Sequence, residues 1–357
     1  MNYKNFYPIT GHQTYLNTAA SGLLSEPLLE FKQKNLRSFF ERGSGYLANE
    51  EEIINNTKEK ISKIYNVGKK RVAITPNYSL SYNAVLDGLP ADFKILCLDE
   101  DYLSVIMPIK LKGFNFKSIP ITPDIESDII NNIKTYKPHA LALSIVQYLS
   151  GIKLKKDFFK DLKAEFPDLI ILVDATQYLG TEQFDFDISG IDYLSASCYK
   201  WINAGYGNAI SMFSEALLNQ LTLKQVGSNS YADKTKMSLK PMGNLEPGHY
   251  DLNAVAALGK ALDFHYKTIG ITKIEQQIQL LSEKAFNELK RLNLLEDNIV
   301  SRTSHSSIFM LKIDQSKFEA FEKAKIILSK RGNGLRISFN YFNTFDDLEY
   351  LINFLKP

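Results

Sequence analysis

Cysteine is almost absent from this chain, and that scarcity narrows what it can be. Cys97 and Cys198 are the two thiols among 357 residues. They stand far apart and match no metal or redox spacing. They cannot supply a disulfide framework, so a reducing, cytoplasmic compartment is expected. Long apolar runs are missing as well. Runs such as LIILV at 169–173 fall far short of the roughly 18 residues a membrane span needs. The opening stretch MNYKNFYPITGHQTYLNTAAS has no basic segment followed by an apolar one, which argues against a secretory signal. Charge of one sign is also lacking. Lys and Arg number 42 against 40 Asp and Glu, a net charge of +2, so neither nucleic acid nor a membrane is expected as a partner. His12, His139, His265 and His305 suggest no metal cluster. No G-x-G-x-x-G follows an early strand; TPNYSLSYN stands there instead, which excludes a nicotinamide dehydrogenase.

What is present is an alternation of short apolar runs and amphipathic stretches. RVAIT (71–75), FKILCL (93–98), HALALSIV (139–146), LIILVD (169–174) and IDYLSAS (191–197) read as buried strands. Residues 79–89, 125–136 and 155–166 read as helices between them. That order predicts an α/β fold with a mostly parallel, doubly wound sheet. From residue 251 two long helical patterns, the strand patterns SIFMLKI and LRISFN, and the helix FDDLEYLINFL predict a smaller α+β domain. The expected division is therefore an N-terminal segment 1–15, a large domain 16–250 and a small domain 251–357. The aperiodic stretch 227–249 reads as a covering loop.

In a doubly wound sheet the ligand crevice lies beyond the C-terminal strand ends. Ser79, Tyr102, Gln147, Asp174 and Lys200 all sit at or just past such ends. Asp174 closes an apolar strand, so it needs a partner there. That partner is either an ion pair or helix cap, or a cationic ligand nitrogen. Lys200, between Tyr199 and Trp201, is either a snorkelling surface lysine or a desolvated amine able to form a Schiff base. An aspartate and a lysine on successive strand ends suit pyridoxal phosphate, whose ring nitrogen and aldehyde they would hold.

The ordered set YLNTAASG, TPNYSLSYN, VQYLSG, VDATQYLG, SCYKW, EPGHY and LRISFNYFNTFDDL resembles the class V aminotransferase family of fold-type I pyridoxal phosphate enzymes. Cysteine desulfurases, kynureninases and isopenicillin N epimerase-like proteins belong to it. The resemblance runs from about residue 14 to 353. It implies that Lys200 bonds the cofactor aldehyde, Asp174 the pyridine nitrogen and Gln177 the phenolic oxygen. It implies further that the turn at Tyr78 and Ser79, with Ser197 and Tyr199, holds the phosphate, and that Tyr102 stacks on the ring. His249 falls where family members reach the neighbouring subunit's phosphate, which implies a homodimer with a shared site. Arg336 matches the clamp for the substrate α-carboxylate, and Ala20 lines the substrate side.

The implied activity acts on an amino acid, with transamination as the first reading and a kynureninase-like lyase or an epimerase as alternatives. Desulfuration is disfavoured, because the segment SKFEAFEKAKIILSKRGNGLRIS before Arg336 carries no cysteine.

Overall fold

The computed structural model describes residues 3–233, 238–239 and 242–356. Seven strands form the central sheet: β1 (Val72–Thr75), β2 (Lys94–Leu98), β3 (Asn115–Ile119), β4 (Ala140–Ser144), β5 (Ile170–Asp174), β6 (Tyr193–Ser197) and β7 (Ala209–Phe213). Their spatial order is β1-β7-β6-β5-β4-β2-β3. Strand β7 runs antiparallel to β1 and β6, and the remaining pairings are parallel. Five of these strands are the apolar runs of the sequence, buried on both faces as a covered sheet requires. Two were not legible. Strand β3, NFKSI, lies at the sheet edge and is half-exposed, so it carries little apolar signal. Strand β7, AISMF, is buried throughout but follows the glycine turn after Lys200.

Helices α1 (Glu26–Arg42), α2 (Glu50–Tyr65), α3 (Tyr78–Gly88), α4 (Leu103–Leu111), α5 (Ile125–Tyr136) and α6 (Phe158–Glu165) precede or link the strands. Helix α3 starts where β1 ends, and the Asn77 side chain caps it by accepting from the Leu80 N–H at 3.0 Å. Helix α7 (Leu252–Asp263) is capped by Asp251 and runs on into a π-helical turn, Phe264–Ile269. Helices α8 (Ile271–Arg291) and α9 (Phe345–Leu355) flank a three-stranded antiparallel sheet. Its strands are β8 (Ile308–Leu311), β9 (Ser329–Arg331) and β10 (Gly334–Ser338), with β10 in the middle.

The apolar clusters divide the chain differently from the 250/251 boundary expected above. Val255, Leu258 and Leu262 of α7 belong to the same cluster as Leu96, Leu141 and Leu194 of the central sheet. A second cluster joins Leu281 and Leu289 of α8 to Phe309, Leu335, Ile337 and Leu351. Helix α8 serves both, because Ile274 and Ile278 lie in the first. The N-terminal segment is tied to the smaller unit: Thr14 and Tyr15 pair in parallel with Ile326 and Ile327, and Leu16 packs in the second cluster. A segment crossing between units could not be read from local pattern. Of the stretch 227–249, residues 234–237, 240 and 241 lie outside the described residues; Ser228–Ser230 forms a 3-10 turn and Tyr231–Asp233 pairs with Ser238–Leu239.

Candidate active site

Strands β5 and β6 are neighbours in register, with Asp174 opposite Ser195, so their C-terminal ends open at the same level. Asp174 ends β5 almost fully buried and accepts the Thr176 N–H at 2.8 Å. Burial raises its pKa, while Thr176 and the charge of Lys200 pull it back. Lys200 follows β6 and is 7% exposed. Its amine makes no hydrogen bond or ion pair among the described residues; it lies 5.7 Å from the Tyr102 ring centre and 5.6 Å from that of Tyr199. Burial lowers its pKa, Asp174 opposes that, and Arg336 and Arg331 add to it. The desolvated reading of Lys200 thus fits, and the snorkelling one does not.

The turn that holds Lys200 is fixed from several sides. Gly22 donates its N–H to the Tyr199 carbonyl at 3.0 Å. A Cβ on Gly22 would lie 2.0 Å from the Lys200 carbonyl oxygen, so glycine is required by close approach. Trp201, the chain's single tryptophan, is buried, and its indole N–H donates to Gln177 Oε1 at 2.8 Å. Gln177 Nε2 in turn donates to the Ala19 carbonyl at 2.9 Å. Because indole can only donate and a carbonyl can only accept, this pair fixes which end of the Gln177 amide is nitrogen. One amide hydrogen remains for a ligand. His265 Nε2 lies 2.9 Å from the Trp201 carbonyl and anchors that side.

At the N-terminus of α3, Tyr78 donates its backbone N–H to Ser197 Oγ at 3.0 Å, and its ring stacks on Tyr82 in the core. Tyr78 therefore meets Ser197 through its backbone, while its ring belongs to the core. Ser79 Oγ donates to Ser104 Oγ at 3.0 Å, while its own N–H sits in the first helical turn, which leaves it without an intrahelical partner. Ser197 N–H donates to Thr176 Oγ1 at 3.1 Å. This group of N–H and hydroxyl groups at a helix start suits an anion.

Above Lys200 stands an aromatic wall. Tyr199 stacks on Tyr206 at 4.6 Å between ring centres, and Tyr102 meets Tyr148 edge-on at 5.2 Å. Arg336 reaches the same wall from β10. It is 2% exposed and donates from Nη1 to the Tyr148 carbonyl at 2.7 Å; its Nε is buried without a partner. Burial lowers its pKa to about 10, and Tyr148, Tyr102 and Tyr199 lie close enough to act on it.

Gln147 and His249 are engaged elsewhere, and Ala20 lies between Ala19 and Gly22, which touch Gln177 and the Lys200 turn. Gln147 Oε1 accepts from the N–H groups of Leu149 and Ser150, and its Nε2 donates to the Glu100 carbonyl, so its side chain is consumed by the turn. Ala20 is half-buried beside Ala19, its N–H donating to Asn17 O at 2.9 Å. The His249 side chain is 69% exposed and 3.3 Å from Glu50, its one ion-pair partner among the described residues. Sequence reasoning missed Gly22, Ser104, Tyr148 and Thr176 as builders of the site, and it placed Trp201 beside Lys200 without its bond to Gln177. Four of these stood inside quoted motifs: Gly22 in YLNTAASG, Tyr148 in VQYLSG, Thr176 in VDATQYLG and Trp201 in SCYKW. A separate cleft of about 560 Å³ between α8 and residues 302–307 touches this site only through Gln177.

The family model for class-V aminotransferases matches residues 14–351. The chain belongs to the class-V aminotransferase family. Within that family it is 25% identical over 334 residues to a probable cysteine desulfurase of Mycoplasma genitalium, covering 85% of this chain and 81% of that one. It is 21% identical over 368 residues to an uncharacterized Bacillus subtilis aminotransferase, YcbU, covering 98% and 96%. It is 26% identical over 245 residues to the uncharacterized protein C11D3.10 of Schizosaccharomyces pombe, spanning only 56% of that relative's length. The class-V fold is matched by a solved structure of the cystine C–S lyase C-DES with its product cysteine persulfide, at a TM-score of 0.89, 19% identity and 98% of both chains. A C-DES lysine mutant with glycine covalently linked to its PLP cofactor matches at 0.90, with 18% identity and 99% of both chains. The α/β architecture of a fold-type I transferase is thereby established.

Proposed function

We propose that this class-V family member is a pyridoxal phosphate enzyme acting on an amino acid, with transamination as its reaction. One observation carries the reading: a buried lysine amine without a hydrogen bond, one strand from a buried carboxylate and below the start of α3. An amine so placed is destabilised as a cation and is suited to bond a carbonyl. The rest of the donor set fits the same group. Asp174 would hold its ring nitrogen, the Ser79 N–H with the Ser197 hydroxyl and Tyr199 its phosphate, Gln177 its phenolic oxygen, and Tyr102 its ring face. When bound, the cofactor supplies an electron-withdrawing ring that acidifies the substrate α-carbon.

The chain's own residues then have separate tasks. Arg336 orients the substrate through its α-carboxylate, for which a planar guanidinium offers two parallel donors. Lys200 Nζ, neutral at lower pH than an exposed lysine, takes the α-proton and returns it. Asp174 stays ionised opposite a cationic nitrogen, which offsets the cost of its burial. Desulfuration needs an accessible thiolate, and this chain does not offer one. Cys97 and Cys198 are both buried, and burial pushes each thiol up to about 12.

A second reading, elimination at the β-carbon, is favoured by the likeness to a C–S lyase over 98% of both chains. It too needs only a lysine base. We further propose that two copies associate. Leu29, Leu36 and Phe40 of α1 are exposed apolar groups, and Tyr206, which stacks on Tyr199, is exposed as well. His249 would then serve the neighbouring subunit's phosphate.

The test is a visible spectrum of the purified protein, then anaerobic mixing with single L-amino acids and chromatography of the released cofactor. Stoichiometric pyridoxamine phosphate supports transamination. Unchanged cofactor with accumulating keto acid and ammonia supports elimination. A visible band that persists in Lys200→Ala would overturn the assignment of Lys200.

A further inference from the structure

The smaller sheet presents two arginines to the site rather than one. In the β9–β10 hairpin Ser329 pairs with Arg336, and Arg331 pairs with Gly334. Directly opposed residues of an antiparallel pair share a face, as do residues two apart on a strand. Ser329, Arg331, Gly334 and Arg336 therefore stand on one face, and Gly334 leaves no side chain beside Arg331. That hairpin lies against the 147–151 turn: Arg336 bonds the Tyr148 carbonyl, and a Cβ on Gly332 would sit 3.9 Å from Leu149 Cδ1.

Neither guanidinium has a carboxylate partner among the described residues, although most buried charges are paired. Arg336 Nε and Ser329 Oγ, on the shared face, are buried with no hydrogen-bond partner. The charge of Arg331 is felt at Arg336, Tyr148 and Lys200 alike. Arg331 itself is exposed, its Nη1 donating to the Lys330 carbonyl at 3.2 Å, while Arg336 lies deep. The two positions are diagonal neighbours on adjacent strands, with backbones roughly 7–8 Å apart, and their cations repel each other until an anion of matching length enters.

We propose that the substrate is an amino acid carrying a second carboxylate on its side chain, with Arg336 taking the α-carboxylate and Arg331 the distal one. This rests on the amino-acid reading above and specifies its substrate class. A neutral side chain of equal length would leave Arg331 uncompensated, so discrimination comes from charge and reach rather than from pocket size.

The experiment separates this inference from the reading it rests on. Titrating the purified holoprotein with glutarate and with butyrate by calorimetry reads the two arginines without any reaction, because neither ligand has an amine. Glutarate is expected to bind about tenfold more tightly than butyrate, and less so as salt rises. Arg331→Ala should weaken glutarate until the two ligands lie within about twofold of each other, and Arg331→Lys should restore part of the gap. Equal binding by the unaltered protein, or a preference that survives Arg331→Ala, overturns the proposal. With L-glutamate as substrate, Arg331→Ala should raise KM by about tenfold with a smaller fall in kcat. Failure of the cofactor reading looks different: no amino acid alters the visible spectrum, while the glutarate preference remains.

Discussion

Removing the charge at Lys200 should stabilise the cofactor-free protein, the reverse of what most buried substitutions do. Burial takes the amine from 10.5 to about 8, with Asp174 opposing and the two arginines assisting. A lowered pKa means the unfolded chain binds the proton more tightly, so the protonated lysine opposes folding. At 1.36 kcal/mol for each pKa unit, that displacement amounts to about 3 kcal/mol. The Tyr102 and Tyr199 rings return about 1 kcal/mol as cation–π attraction. A net of about 2 kcal/mol remains. Lys200→Met keeps the aliphatic stem and leaves little void, so the variant should gain roughly that amount at pH 7.

The sign with pH follows. The penalty is complete below the folded pKa near 8, shrinks as pH rises, and vanishes near the unfolded value of 10.5. Urea unfolding of both cofactor-free proteins at pH 7, 8.5 and 10 would measure it, with Cm compared at constant m. A Lys200→Met variant equal to or weaker than the parent at pH 7 would refute the reasoning. So would a gain that does not shrink toward pH 10.

Other outcomes follow from the same geometry. Trp201→Phe leaves Gln177 Oε1 buried without its donor, at a cost of about 1–3 kcal/mol; equilibrium dialysis should show weaker cofactor retention although Lys200 is intact. Gly22→Ala forces a methyl onto the Lys200 and Tyr199 carbonyls. It should destabilise by about 3 kcal/mol or more, seen as a lowered urea midpoint and reduced soluble yield. Arg336→Lys keeps the charge but not the fork, so kcat/KM for an amino acid should fall about tenfold to a hundredfold in steady-state assays. His249→Ala should leave monomer stability within about 0.5 kcal/mol, because the side chain is exposed. Its effect on cofactor retention should appear only at concentrations where two copies associate.

Short buried strands make the α/β class legible in the sequence alone, because a sheet covered on both faces demands unbroken apolar runs such as IILVD and YLSAS. The same runs marked the strand ends, and with them Asp174 and Lys200, since a charge that closes an apolar run has few bland explanations. The edge strand NFKSI escaped because half its residues face solvent, and α4 because Pro108 interrupts its pattern. Tertiary structure alone decided the rest. Whether Lys200 was solvated or stripped of partners depends on Tyr102, nearly a hundred residues away in the chain, and on Tyr199 beside it. The orientation of Gln177 depends on Trp201 and Ala19, and the placement of Arg331 beside Arg336 depends on strand register. Local pattern reports whether a residue is buried; burial energy is short-ranged and additive along the chain. Charge, hydrogen-bond direction and register depend on which distant groups arrive together, and only the folded chain brings them there.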